Sequence, residues 1–298
     1  MKTNPTQAAP AYRRGSCGFI IQRLQNALGI ASDAEFGLDT ESAILRLQRQ
    51  SHLAQTGTAG PAEFAALGLS WPSAFERAMN VVCAFEGTSF GDCNLTDIDG
   101  AGFTWGIAGF TTAHGEVQAV LARFIAARPE ALAALPGNLQ TRLMNLLSRK
   151  STPAQWKQLL MGSHGRVLPA WQTAIRHWGS FPDLQQIQLS IAREQFWMRA
   201  LEAAASLGFS GIRVQLFFLD VAVQNGGWRS EHLRIAQQMT DWHSEYPARA
   251  LAVAARAVAA CAAERWRQDV LARKMTIALG HGRVHGRDWN LEHFALSD

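Results

Sequence analysis

Two kinds of acidic residue lie close together in the stretch CAFEGTSFGDCNLTDIDGAGFTW, residues 83–105. Glu86 continues the apolar face of a predicted helix, whereas Asp97 and Asp99 lie in a polar, glycine-rich loop. Apolar neighbours and the negative end of a helix dipole favour a carboxyl group that keeps its proton, whereas a solvated loop favours a carboxylate. Because a proton donor and an ionised carboxylate together cleave glycosidic bonds, the stretch indicates the acid and the base of a glycoside hydrolase.

The helix that precedes Glu86 is predicted by the spacing of its apolar residues. The i, i+3, i+4, i+7 pattern of a buried face is followed by Phe75, Ala78, Met79 and Val82. Glu86 comes one turn later on the same face, and Gly87 suits a helix C-terminus. We therefore predict a helix that ends at Glu86, followed over residues 88–112 by a small hairpin around Asp99–Gly100.

A structural role would explain the same acidic residues without any chemistry. Glu86 would then pair with an arginine at the helix end, and Asp97 and Asp99 would be ordinary turn formers. If the residues are catalytic, Asp97 is a rival to Asp99 as the base, because both lie in one loop.

The segment DIDGAGFTWGIAGFTTAHGEVQAVL, residues 97–121, resembles the family 46 glycoside hydrolases, the chitosanases of the lysozyme-like superfamily. An acidic residue, a glycine-rich turn, an aromatic residue, a threonine and the pattern GI.GF occur in that order. The resemblance implies Glu86 as the general acid, Asp99 as the general base and Thr104 as the residue that places the attacking water. It also implies that Glu116 contacts the substrate and that water attacks directly, with inversion.

A second, weaker resemblance to this family covers VQLFFLDVAVQNGGW, residues 214–228. It implies that Asp220 belongs to a buried charged network with arginines behind the general acid, and an isolated carboxylate in so apolar a run would need such a partner. The candidate partners are Arg265, Arg267 and Arg273. Gln224 and Asn225, at the end of the same predicted helix, are expected to line the substrate cleft.

The first part of the chain predicts a separate unit of three short helices over residues 15–69. The pieces RLQNALGI, EFGLDTESAILRLQRQ and TGTAGPAEFAAL resemble the peptidoglycan-binding domain found at the ends of many cell-wall hydrolases. Asp39 is the expected N-cap of the second helix. A generic three-helix cap is the alternative. We expect a flexible tail over residues 1–14, a linker over 70–75 and a lysozyme-like catalytic domain over 76–298.

Composition excludes several other classes of protein. The net charge of +4 over 298 residues is spread along the chain, so no nucleic-acid-binding stripe is visible, and no apolar run is long enough for a membrane span. We expect no cofactor and no metal, because His281 and His285 have zinc-like spacing but lack a third ligand. Cys83 and Cys93 could form a disulfide in an oxidising compartment.

These observations together predict a mainly α protein that combines a three-helix wall-binding domain with a lysozyme-like α+β domain containing a short hairpin. The expected function is cleavage of peptidoglycan glycan strands by a monomeric muramidase-type endolysin or secreted effector. The N-terminus lacks the apolar segment of a secretory signal, so release through a holin or a secretion system is expected. The alternatives are a chitosanase, a lytic transglycosylase and a non-catalytic peptidoglycan-binding structural protein.

Three amide substitutions test this assignment. Glu86→Gln removes the proton donor and is expected to abolish turnover without unfolding the protein, since general acid catalysis contributes about 10²- to 10⁴-fold. Asp99→Asn is expected to be nearly as damaging, and Asp97→Asn less so. Release of reducing sugar from purified cell walls measures all three, and an equal loss in Asp97→Asn would move the base to position 97.

Overall fold

The computed structural model describes residues 10–97, 102–162, 165–244 and 246–296. In these residues, fourteen α-helices and two antiparallel two-stranded sheets are present, which confirms the predicted mainly α fold. Two compact units are formed: one by the described residues up to Glu86 together with those from Phe196 onward, the other by Gly87 to Gln195. No helix in the described ranges is long and apolar enough to cross a membrane.

In chain order the elements are α1 Phe19–Leu28, α2 Leu38–Gln50, α3 Pro61–Ala66, α4 Ala74–Glu86, β1 Thr104–Trp105, β2 Phe110–Thr111, α5 Glu116–Ala127, α6 Gly137–Leu147, α7 Pro153–Leu160, α8 Pro169–Trp178, α9 Pro182–Ala192, α10 Met198–Ser206, α11 Ile212–Asn225, α12 Ser230–Ala236, α13 Pro247–Ala260, α14 Glu264–Leu279, β3 His281–Val284 and β4 Arg287–Asn290. A π-helical turn, Arg193–Trp197, separates α9 from α10. The long alanine-rich stretch is broken between α13 and α14, as its length predicted.

Helices α1 to α3 enclose a small apolar core of their own. Its fully or almost fully buried members are Tyr12, Ile20, Ile21, Leu24, Phe36, Ile44, Ala59, Phe64 and Ala295. The second helix starts at Leu38 with Gly37 as its N-cap, so Asp39 lies in the first turn and is not the cap. An acidic residue there still interacts favourably with the positive end of the helix dipole.

Two buried glutamines fix the loops between these helices. Gln25 donates to Asp33 Oδ1 (2.7 Å) and Glu35 O (2.9 Å), and its Oε1 accepts from the backbone N–H of Ala34 (2.9 Å). Gln48 has the same role one helix later, because its side chain bonds Thr58 O, Glu63 Oε1 and the N–H of Gly57. The repeated Leu-Gln pair therefore sets the loop geometry of the domain.

The tail expected over residues 1–14 is in part an ordered strand-like segment. Residues 1–9 lie outside the described residues, but Tyr12 is fully buried and its backbone N–H and C=O both bond Ala59 at 2.9 Å. The Tyr12 ring packs against Phe64 and Trp71, so the expected linker over 70–75 also contributes an anchor to this core.

The rest of the first unit is built around α11. Nine of its residues are buried, and it packs against α4, α10 and α14, as expected of a helix that is apolar on nearly all sides. Helix α14 also packs against α13 and β3. The segment with His281 and His285 forms the hairpin β3–β4. His285 and Gly286 both have positive φ, the requirement of a two-residue I′ turn.

The second unit contains α5 to α9 and the hairpin β1–β2, which lies inside the predicted non-helical stretch. Thr104 is paired with Thr111 and Trp105 with Phe110, so this hairpin turns at Gly106–Gly109. Asp99–Gly100, around which a hairpin was predicted, lie outside the described residues. A Cβ on Gly106 would lie 2.2 Å from Gln188 Oε1, the atom that accepts from the N–H of Ile107. The hairpin is thereby fixed to α9.

Replacing Gln48 by leucine tests the role of the buried glutamines. The N–H of Gly57 and the carbonyl of Thr58 would lose their partner inside the domain, and each unsatisfied buried group costs about 1–3 kcal/mol. We expect a loss of this order in the free energy of unfolding, measured by urea denaturation. Gln50→Leu, at the exposed end of α2, is the matched control, and equal effects of the two substitutions would refute the interpretation.

Candidate functional site

Glu86 is the last residue of α4, as predicted, and Gly87 follows it with a left-handed backbone, φ 62°. Its side chain is 36% exposed, and Oε1 accepts a hydrogen bond from Nη1 of Arg273. A guanidinium therefore lies beside the carboxyl group, as the structural alternative predicted for an arginine at the helix end. This guanidinium also lies over the ring of Phe85, 5.3 Å from its centre.

Arg273 bridges Glu86 to a fully buried carboxylate, Asp220. Nε of Arg273 donates to Asp220 Oδ1 at 2.8 Å, and Nη2 donates to the same oxygen. Lys274 donates to the other oxygen, Oδ2, and all three side chains have no exposed surface. Among the three arginines considered from the sequence, the structure selects Arg273 as the partner of Asp220.

The charges in this network stabilise one another. Burial alone would raise the pKa of Asp220, but Arg273 and Lys274 outweigh it and hold that pKa below its usual range. Burial lowers the pKa of Lys274 to about 8, and Asp220 only partly offsets the effect. For Arg273, Asp220 and Glu86 outweigh burial and raise the pKa. Asp220 and Arg273 therefore stay charged, and Arg273 remains a permanent donor to Glu86.

The network extends to the β3–β4 hairpin through Gln224, Asp269 and His285, by contacts that the sequence did not predict. Lys274 donates to Gln224 Oε1 at 2.6 Å, and Gln224 Nε2 contacts Asp269 Oδ2 at 3.4 Å. His285 contacts Asp269 Oδ1 through Nε2 at 2.8 Å and the carbonyl oxygen of Phe85 through Nδ1 at 2.9 Å. The last turn of α4, which carries Glu86, is therefore fixed from two sides.

Asp97, the rival base, is engaged in contacts within the second unit. Its side chain is 5% exposed, forms an ion pair with Lys157 of α7, and accepts from the N–H of Gly102 at 3.1 Å. Its own N–H donates to Gly165 O. These contacts close the ends of the loop that contains Asp99. Asp99 itself lies outside the described residues, so its assignment stays a prediction.

Thr104 and Glu116 both belong to the second unit but have different surroundings. Thr104 begins β1, is half-buried, and its backbone N–H donates to Asn94 Oδ1 at 2.9 Å. Glu116 begins α5 and is 7% exposed, with Oε2 accepting from the N–H (2.8 Å) and Oγ1 (3.1 Å) of Thr111. Glu116 thus holds the strand partner of Thr104 in place.

Three further sequence predictions concern α11 and the cysteines. Gln224 belongs to the charged network described above. Asn225 follows it at the helix end, and its Oδ1 is buried with no hydrogen-bond partner among the described residues. Cys83 and Cys93 are not joined by the disulfide that the sequence allowed. Burial raises the pKa of the Cys83 thiol, which keeps it protonated.

The residues missed from the sequence are Lys274, Asp269 and His285. The buried face of α14 has i, i+3, i+4, i+7 spacing and consists of Val270, Arg273, Lys274 and Ile277. Because two of these four residues are cations, the sequence pattern predicts an exposed face at these positions. His285 carried one usable signal, because His-Gly between alternating residues resembles the Asn-Gly signal of a tight hairpin.

Removing one charge tests whether the buried network is balanced. Asp220→Asn leaves Arg273 and Lys274 buried with Glu86 as the remaining acidic partner, and breaking such a pair costs about 3–5 kcal/mol. We expect this loss in urea denaturation, with partial recovery in Asp220→Asn/Lys274→Met, which removes one cation. Asp269→Asn, at a side chain 33% exposed, is the control and is expected to cost less than about 1 kcal/mol. An Asp220→Asn protein as stable as this control would contradict the interpretation.

Residues 20–67 match the family of peptidoglycan-binding domains. No curated protein matches the chain in sequence.

Solved structures share its fold at low sequence identity. The chain aligns with a family 46 chitosanase of Gynuella sunshinyii in complex with chitotetraose at 18% identity and a TM-score of 0.51, covering 74% of this chain and 98% of that one. It aligns with the native chitosanase of Bacillus subtilis MY002 at 17% identity and a TM-score of 0.52, covering 70% and 94%. Residues 20–67 therefore resemble peptidoglycan-binding domains, and about 70% of the chain shares the mainly α fold of the family 46 chitosanases.

Proposed function

We propose that this protein is a glycoside hydrolase that cleaves the glycan strand of peptidoglycan. In this proposal Glu86 protonates the leaving glycosidic oxygen, Asp99 activates a water molecule, and Thr104 holds that water for attack. The reaction is direct and inverts the configuration at the sugar carbon.

The observation that carries the proposal is the buried network that ends at Glu86. Three charged side chains without exposed surface support a single carboxyl group that reaches solvent. Burying charges is expensive even when they are paired, so a stability role alone is a poor explanation for the arrangement. A catalytic role explains it, because Arg273 fixes one oxygen of Glu86 and the side chain is still 36% exposed, so that it can contact a substrate.

The contacts of Asp97 support Asp99 as the base. Asp97 is buried against Lys157 and accepts from the backbone of Gly102, so it has a structural part to play at the ends of the loop. Asp99 is the other acidic residue of that loop. The likeness in fold to the chitosanases is consistent with hydrolysis of a polysaccharide.

Peptidoglycan is favoured as substrate by the first domain and by charge. Residues 20–67 match the peptidoglycan-binding family, and a cavity of about 620 Å³ in this domain, lined by Asp33, Leu38 and Arg46 among others, has the size of a ligand site. Residues 131–182 include six arginines and lysines and no acidic residue. Such a region attracts an anionic polymer and repels a polycation.

The proposal also includes the organisation and delivery of the protein. Residues 15–69 hold the cell wall and residues 76–298 cut it, and the protein acts as a monomer. It is made in the cytoplasm and reaches the wall through a phage holin or a secretion system, as an endolysin or an effector.

Chitosan is the second candidate substrate, favoured by the fold shared with a chitosanase that binds chitotetraose. Chitosan is polycationic, so a chitosanase needs acidic residues along its binding surface. The acid-free stretch 131–182 does not supply them, and we rank this candidate second.

Parallel assays on purified peptidoglycan and on chitosan test the proposal. We expect reducing sugar from peptidoglycan, a rate on chitosan lower by about tenfold or more, and loss of release in Glu86→Gln. Glu130→Gln, at an exposed glutamate, is the matched control and is expected to keep full activity. Proton NMR of the first product is expected to show inverted anomeric configuration.

Three outcomes would overturn parts of the proposal. Faster cleavage of chitosan would make the protein a chitosanase. Binding to walls without any release would make it a non-catalytic wall-binding protein. Products lighter by one water in mass spectrometry, with an anhydro ring, would make it a lytic transglycosylase, which needs only the acid.

A further inference from the structure

A cavity of about 480 Å³ lies in the second unit, between α5 and the segment that joins α6 to α7. Its size is within the range of small-ligand sites. Buried Trp156 and Leu146 contribute to its lining together with exposed His114 and Arg149. We call it the Arg149 cavity. The further lining residues used below are Gln118 and Ser151.

The lining of the Arg149 cavity is cationic. Arg149 is a permanent cation, His114 can become one, and no acidic residue is among the residues that line the cavity. Glu116 is near, 4.0 Å from His114 Nδ1, but its carboxylate already accepts two hydrogen bonds from Thr111. Arg149 lies in the acid-free stretch 131–182. The site therefore suits an anionic group.

The polar atoms of the walls add donors and an unpaired acceptor. Trp156 Nε1 donates a hydrogen bond to Ser151 Oγ at 2.7 Å, which fixes the indole ring in the cavity wall. Gln118 donates to Thr112 O at 2.8 Å, and its buried Oε1 has no hydrogen-bond partner among the described residues. Because an unpaired buried acceptor is costly, the cavity favours a ligand that carries an N–H near its anionic group and can donate it to Gln118 Oε1.

The cavity is connected to the predicted catalytic threonine by a short chain of contacts. Thr104 is paired with Thr111 across the β1–β2 hairpin, and Thr111 Oγ1 is 2.9 Å from Nδ1 of His114, a lining residue. His114 lies in the short connection between β2, which ends at Thr111, and α5, which begins at Glu116. A group bound in the cavity would therefore be held near the hairpin that carries Thr104.

We propose that the Arg149 cavity binds a carboxylate carried by the muramic acid residues of the substrate, with Arg149 as its principal partner. This inference rests on the proposed function and deepens it, because it names the part of peptidoglycan that chitosan lacks. The carboxylate has two possible sources, the lactyl group of muramic acid or the stem peptide attached to it. The stem peptide is the favoured source, because it offers several carboxylates together with several amide N–H groups that could donate to Gln118 Oε1, whereas peptide-free N-acetylmuramic acid offers one of each.

Hydrogen–deuterium exchange on the full chain can locate this binding independently of the wall-binding domain. The probes are N-acetylglucosaminyl-N-acetylmuramyl-tetrapeptide, the same disaccharide without peptide, and the neutral N-acetylglucosamine tetramer. We expect the tetrapeptide probe to protect peptides covering 113–122 and 146–156, the peptide-free disaccharide to protect them less, and the neutral tetramer not to protect them.

Charge-neutral substitutions connect the protection to Arg149. Arg149→Gln is expected to raise the concentration for half-maximal protection about tenfold, since a hydrogen bond to a charged group contributes about 1.5–3 kcal/mol. Lys150→Gln removes a neighbouring charge outside the cavity lining and is the matched control, expected to change protection less than twofold at 0.15 M salt.

The outcomes separate this inference from the proposed function. Equal protection by the neutral tetramer, no protection by either carboxylated probe, or full protection in Arg149→Gln would overturn the carboxylate site. Protection dependent on Arg149 in a protein that cleaves nothing would uphold the site and refute the hydrolase. Cleavage of peptidoglycan that is indifferent to Arg149→Gln, without protection of 113–122 and 146–156, would uphold the hydrolase and refute the site.

Discussion

The carboxylate of Asp220 is the constraint on which the first unit depends. A charge with no exposed surface must be matched inside the protein, and Arg273 and Lys274 match it from consecutive positions of α14. Their Cα–Cβ directions on a helix differ by about 100°, so both reach one carboxylate only if α14 packs closely along α11, as it does. Arg273 then has Nη1 left for Glu86, and the orientation of α4 follows from the same charge balance.

The first domain is joined to this arrangement by polar contacts that are as specific as those inside it. Asn80 of α4 is fully buried, accepts from the N–H of Ile20 at 3.1 Å and donates to Cys17 O at 2.8 Å. Arg287 of β4 forms a double hydrogen bond with Glu35. The domain therefore packs on the helix that carries Glu86 and is more than a tether.

The parts that the sequence predicted are those set by local periodicity or by the cost of burial. The helix ending at Glu86 followed from four apolar residues and a glycine, and the need of Asp220 for a cation followed from its apolar neighbours. The choice of Arg273 among three arginines depends on a contact across 53 residues, which no local pattern contains. Tyr12 was missed for the same reason, because its burial depends on pairing with Ala59. The pair His285–Gly286 favours a tight turn, a signal separate from the zinc-like spacing of His281 and His285.

The proposal that peptidoglycan is the substrate rests on the distribution of charge more than on the fold. A fold shared at 18% identity is compatible with either polymer, whereas surface charge acts on every approaching strand. Over residues 131–182 the cations face no acidic residue of their own segment, and Lys157 finds its partner in Asp97, outside it. Within a Debye length of about 8 Å a polycation would be repelled there and a carboxylate attracted. An enzyme that bound chitosan on this surface would first have to overcome its own arginines, whereas one that binds peptidoglycan uses them.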